Sequence, residues 1–175
     1  ENIERAIKRG TSELGGAHLE EVFYEAYGPE GVGIIIEGVT DNKNRTVAEI
    51  KAVLNKYNGK LAETGSVNYL FNKQGVIIVN KAEKSSEDIE LLAIGAGAQD
   101  FVEEDNQLII YTNPQDLENT KKQLEGGGIA VESAEITLVP KATVPAADKT
   151  NTVEKLLGAL DDLDDVTNIS TNAEI

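Results

Sequence analysis

The chain has 175 residues, with 31 Asp and Glu against 16 Lys and Arg, a formal net charge of −15. Hydrophobic content of 40% and charged content of 27% are those of a globular chain that can bury a core as one large domain or two small ones. The absence of cysteine and the single histidine, His18, remove disulfide scaffolds, thiolate chemistry and ordinary zinc sites, and the longest run of Val, Ile and Leu, Val76 to Val79, falls far short of the roughly 20 residues that cross a bilayer.

Glu1 opens the chain inside what reads as a helix, Asn2 to Arg9, the pattern of a truncated or processed chain. Residues 10–18 read as a Gly-rich connector. A strand pair follows, Leu19 to Tyr27 and Gly33 to Thr40, joined at Gly28-Pro29-Glu30-Gly31, where Pro29 presets φ and the glycines accept positive φ. Thr46 and Glu49 stand at capping-box spacing, which predicts a helix over 46–57 with Val47, Ile50, Val53, Leu54 and Tyr57 as its apolar stripe and Gly59 as its stop. Residues 61–71 read as extended, with Val67, Tyr69 and Phe71 alternating onto one face.

From Val76 the pattern sharpens. Val76 to Val79 has the apolar run of a buried strand, and Ser85 and Asp88 cap a helix that carries Ile89, Leu92, Ala93 and Ala96 and closes at Gly97. Asp100 to Glu104 and Leu108 to Thr112 form a hairpin around Asp105-Asn106. Asn113-Pro114 starts a second helix, Gly126 to Gly128 end it, and residues 129–139 form a strand. The order strand, helix, strand, strand, helix, strand is the ferredoxin-like βαββαβ arrangement. After a linker at Pro140 to Pro145, Val153, Leu156, Leu157 and Leu160 mark another amphipathic helix, and Val166 to Ser170 a last strand.

The early strand pair lacks a second helix and the late helix lacks a sheet, so the two ends are expected to complete one another. The predicted class is α+β: two α/β sandwich domains, with the ferredoxin-like unit of residues 73–139 inserted into a discontinuous domain of residues 19–72 and 140–175. Residues 1–18 are the end of a preceding helical region and its linker.

Charge is unevenly spread. Residues 1–60 hold 8 basic and 10 acidic side chains, whereas residues 61–140 hold 5 and 14. An acidic body repels nucleic acid, so any contact with a polyanion falls to the amino-terminal third. Other motifs carry no chemistry. The acids Asp161, Asp162, Asp164 and Asp165 fail the calcium-loop spacing and read as the solvated end of a helix. Gly95 to Asp100 is one glycine short of a dinucleotide fingerprint and lies at the wrong end of its helix. No Walker sequence occurs, and the sequons at Asn44 and Asn168 match by chance. The segment Thr40-Asp41-Asn42-Lys43-Asn44-Arg45-Thr46 differs from these. It joins a strand end to a helix start, setting outward N–H groups beside two cations, a combination suited to a phosphate or carboxylate oxygen, although on physics alone plain capping and turning by Asn and Asp is the favoured account. Arg5, Lys8 and Arg9 form a second basic stretch at helical spacing.

Four segments, Asn2 to Gly10, Tyr24 to Val32, Thr40 to Thr46, and Gly65-Ser66-Val67 followed by Phe71, closely resemble the YebC/PmpR family, which includes the mitochondrial translational activator of cytochrome c oxidase. The family's turn usually reads Gly-Pro-Gly-Gly where Glu30 stands third here, and it usually has Arg where Lys43 stands. The resemblance implies a basic helical domain followed by two α/β domains, one inserted in the other. It also implies a non-enzymatic regulator of gene expression, by promoter DNA binding or by association with the ribosome.

The sequence therefore predicts Arg5, Lys8, Arg9, Lys43, Arg45, Lys51 and Lys56 as contacts to nucleic-acid phosphates, DNA or ribosomal RNA, with Asn42 and Asn44 shaping the loop. No catalytic residue, cofactor or metal is expected, no membrane partner, and a cytoplasmic location, or the mitochondrial matrix in a eukaryote. Two alternatives stay open: a small-molecule-sensing α/β module, and a protein-interaction module whose acidic middle unit docks on a basic partner.

Overall fold

A computed structural model describes residues 18–81 and 84–175. The helix expected over Asn2 to Arg9, with Arg5, Lys8 and Arg9, and the connector that follows it lie outside the described residues. In chain order the elements are β1 (Glu20–Tyr27), β2 (Gly33–Thr40), α1 (Lys43–Lys56), β3 (Lys60–Leu61), β4 (Phe71–Asn80), α2 (Ser86–Gly95) and β5 (Asp100–Glu104). They continue with β6 (Gln107–Thr112), α3 (Leu117–Gly126), β7 (Val131–Pro140), β8 (Val144–Pro145), α4 (Thr150–Asp161), β9 (Val166–Thr171) and β10 (Ala173–Glu174). The fold is mixed α+β, in two compact units. One comprises the described residues up to Phe71 together with Pro140–Ile175, and the other is Asn72–Val139.

In the first unit the sheet order is β3-β1-β2-β9, with every pairing antiparallel. The late strand β9 thus joins the early hairpin in one sheet. Alternation along β1 and β2 sends Ala26, Ile34 and Ile36 to one face, where Ile50 and Leu54 of α1 and Val153, Leu156 and Leu160 of α4 close the core. Ile35 is also fully buried. Its register partner is Glu25, so both lie on the opposite face. There Val67 and Leu70 pack so close over Gly33 that a Cβ on that residue would meet them at 3.0 and 3.1 Å. Between Glu37 and Gly38 the β2–β9 register shifts by a bulge. A Cβ on Gly38 would stand 2.3 Å from the Asp165 carbonyl oxygen, so only glycine admits this approach of the two strands.

The second unit has sheet order β5-β6-β4-β7, the ferredoxin-like order. Ile77 and Val79 of β4 and Leu108 and Ile110 of β6 pack against Ile89 and Ala93 of α2 and Leu117 and Leu124 of α3. The Ser85 hydroxyl accepts from the Asp88 N–H at the start of α2, the cap expected there.

Two helix starts and one expected strand differ from the sequence reading. Helix α1 starts at Lys43, because the Asn42 side chain accepts the Arg45 N–H at 3.1 Å and takes over as N-cap. Thr46 is buried inside the first turn and does not cap. Residues 61–71 hold no long strand. After β3 the chain turns, passes through a 3-10 turn at Asn68–Leu70 and enters β4 only at Phe71. Val67 is buried and Tyr69 is 62% exposed, so the expected common face does not exist. Asn113-Pro114 likewise opens a single 3-10 turn, Pro114–Asp116, before α3 begins.

Candidate nucleic-acid interface

The segment between β2 and α1 is held from below by a buried carboxylate. Asp165, 5% exposed, lies just before β9. Its Oδ2 lies 2.8 Å from the Thr46 hydroxyl, 3.1 Å from the Thr40 hydroxyl and 2.8 Å from an Arg45 guanidinium nitrogen. The Thr40 hydroxyl in turn accepts the Asn42 N–H at 2.9 Å. Burial pushes the Asp165 carboxyl up, and the bonds from Arg45, Thr46 and Thr40 outweigh it, leaving it below the ordinary carboxylate value. The same contact, reinforced by Asp41 at 2.8 Å, raises the Arg45 guanidinium further above its usual range. Asp165 was expected on a solvated helix end. It is instead the anchor of this loop, because the bulge at Gly38 carries it under Thr40.

The outer face of α1 has a different character. Lys43, Asn44, Arg45, Ala48, Lys51, Ala52, Asn55 and Lys56 are all exposed, and the helix's one acid, Glu49, is half-buried. The four cations are not equivalent. Arg45 is committed to Asp165 and Asp41. Lys43 pairs with Glu20 in a contact open to water on both sides, which raises the ammonium and lowers the carboxylate. Lys51 and Lys56 make no ion pair among the described residues; the Lys56 ammonium sits 5.3 Å from the centre of the Tyr57 ring. Asn42 is spent on the cap, while the exposed Asn44 side chain beside Lys43 makes no hydrogen bond among the described residues. A polar cleft of about 370 Å³ lined by His18, Glu20, Thr40, Asp41, Asn42 and Lys43 borders this end of the helix.

A second buried carboxylate was not foreseen at all. Glu25, 4% exposed, accepts the N–H groups of Gly65, Val67 and Asn68 at 2.6, 2.6 and 2.8 Å. Burial pushes the Glu25 carboxyl up, and the three amides overcome this and hold it below its ordinary value. The Tyr27 hydroxyl donates to the Ser66 carbonyl at 2.6 Å. Tyr24 to Val32 and Gly65-Ser66-Val67, two of the segments that carried the family resemblance, are therefore the two halves of one clamp.

Residues 19–173 match the family described as the second and third domain of TACO1/YebC. A probable transcriptional regulatory protein of Thermoanaerobacter pseudethanolicus is 47% identical over 177 residues, which cover all of this chain and 72% of that protein. A protein of the same description from Halothermothrix orenii is 48% identical over 179 residues, covering all of this chain and 71% of its own length. The solved structure of a conserved hypothetical protein, Aq1575, from Aquifex aeolicus superposes with a TM-score of 0.82 at 42% identity, over 98% of this chain and 72% of that one.

Proposed function

We propose that this chain, which belongs to the TACO1/YebC family, regulates gene expression by holding nucleic-acid phosphates along the outer face of α1, and makes or breaks no covalent bond. The observation that carries this is a helix, α1, with four exposed cations and no exposed carboxylate of its own, on a chain of net charge −15. Relatives named as probable transcriptional regulatory proteins support the regulatory role. Lys51 and Lys56 supply the uncompensated charge, Lys43 exchanges Glu20 for a phosphate oxygen, and Asn44 adds a hydrogen bond beside it. Arg45 and Asn42 keep the loop in shape. Arg5, Lys8 and Arg9, which lie outside the described residues, are assigned as further phosphate contacts from the sequence alone. These are contacts to backbone, which position a nucleic acid without reading its bases.

The test is a salt titration of the full chain against duplex DNA and ribosomal RNA, since both present the same phosphates. Each lysine that neutralises a phosphate contributes about 0.9 to the slope of log affinity against log salt on duplex DNA. Replacing Lys51 and Lys56 with Ala together lowers that slope by roughly 2 and weakens binding to any sequence alike. Unchanged affinity and slope for both nucleic acids refute the assignment.

A further inference from the structure

The ferredoxin-like unit leaves one face of its sheet without a helix. Helices α2 and α3 both pack on the side of Ile77, Val79, Leu108 and Ile110. The alternate residues form rows in register on the other side: Val102 of β5 pairs with Ile109 of β6, which pairs with Ile78 of β4. In the next row Asp100 pairs with Tyr111, and Tyr111 with Val76. None of these apolar residues belongs to the buried core of the unit; Val102 is 42% exposed and the others are half-buried. Acids border them along the sheet edge. Asp100 and Glu104 flank Val102 on the same face of β5, both exposed, and Asp105 follows in the turn.

We propose that this face docks a basic polypeptide segment, whose apolar side chains seat on Val76, Ile78, Val102 and Ile109 while its Lys or Arg side chains meet Asp100 and Glu104. Charge selects this occupant. Residues 72–139 hold 13 acidic and 5 basic side chains, so a nucleic acid laid on this face would meet a repulsive field. Sheets of this topology that bind single-stranded RNA stack its bases on two or three aromatic rings. Here Tyr111 is the one aromatic on the face among the described residues, and Phe101 packs with the core on the other side. Burial and then the carboxylates of Glu104 and Asp100 raise the Tyr111 hydroxyl above its ordinary value, so the acids surround the ring that would have to stack. The inference is independent of α1 and of the nucleic-acid reading.

The full chain is titrated with three labelled probes: a ten-residue peptide alternating Lys or Arg with Val or Leu, the same peptide with Glu for each basic residue, and a single-stranded RNA octamer. The basic peptide is expected to bind this face, the acidic peptide is not, and the RNA is expected to bind only along α1 without displacing the basic peptide. Replacing Asp100 and Glu104 with Lys weakens it by roughly tenfold or more, as loss of interfacial charge pairs does. Ile109→Glu weakens it as much, with an unchanged circular dichroism spectrum. Reversal of Glu90 and Glu125, on the helices, and the Ala variants of Lys51 and Lys56 leave it unchanged. Four results overturn the proposal: no binding of the basic peptide, equal loss on reversing Glu90 and Glu125, RNA competing with the peptide for this face, or sedimentation showing that a second copy of the chain covers it.

Discussion

Replacing Glu25 with Gln keeps the shape of the side chain and removes its charge. In the native clamp one carboxylate oxygen accepts from Gly65 and the other from both Val67 and Asn68. The Gln carbonyl can keep the latter two, now as neutral bonds, while its amide group faces the Gly65 N–H, donor against donor. A hydrogen bond to a charged acceptor contributes about 1.5–3 kcal/mol and a neutral one about half as much, so the loss amounts to about 3 kcal/mol. That is a large share of the roughly 5–15 kcal/mol by which domains are stable. Urea unfolding read by circular dichroism, with hydrogen exchange at the Gly65, Val67 and Asn68 amides, measures it. Acid gives an independent check. Glu25 titrates below its ordinary 4.5 in the folded protein. Its contribution is therefore complete above that unfolded value and disappears as pH falls through the lowered folded value. The gap in stability between native chain and variant is widest at neutral pH and closes in that acid range. A gap under about 1 kcal/mol at pH 7, or one that widens on acidification, would show that the amides are held by something other than the carboxylate.

Gly38→Ala drives a Cβ into the Asp165 carbonyl oxygen, a backbone atom that cannot rotate away. A loss of about 3 kcal/mol is expected in urea unfolding, and a change under about 0.5 kcal/mol would mean that the bulge is soft. Glu30 sits at φ 58°, a left-handed conformation that suits glycine. Glu30→Gly should raise stability by about 0.5–1 kcal/mol, and a fall in the midpoint would contradict the strain assigned there.

What the sequence revealed and what it hid divide by the range of the interactions. Strand β2 was legible from end to end because three isoleucines stand between a turn glycine and the Thr-Asp step. The Ser85 cap and the β5–β6 hairpin were legible because every partner lies within a few residues. Residues 61–71 misled because Val67, Tyr69 and Phe71 alternate as a strand would, while the Gly65, Val67 and Asn68 amides are claimed by a carboxylate about 40 positions upstream. The start of α1 was misplaced for a related reason. Thr46 has capping chemistry, but Asp165 and Thr40 occupy its hydroxyl, and local spacing carries no trace of a partner 119 residues away. At the candidate interface the sequence named the cations without showing which were already spent.

Formal charge overstates what α1 offers a phosphate. Arg45 cannot leave Asp165 without stranding a nearly buried carboxylate, and such desolvated pairs are costly to break. Lys43 and Glu20 are both exposed, and an ion pair open to water on both sides is weak, so a phosphate can displace Glu20 at little cost. The helix therefore presents two free cations and one exchangeable one, and its share of the salt slope on duplex DNA lies between about 2 and 3, where four unpaired cations would approach about 4. Arg45→Ala consequently separates the roles. It loosens the loop by removing a partner of Asp165 and lowers affinity, while the slope stays near that of the native chain. A drop in slope equal to that of Lys51→Ala would show that the guanidinium leaves its carboxylates for the phosphate, and the division of labour along the helix would have to be reversed.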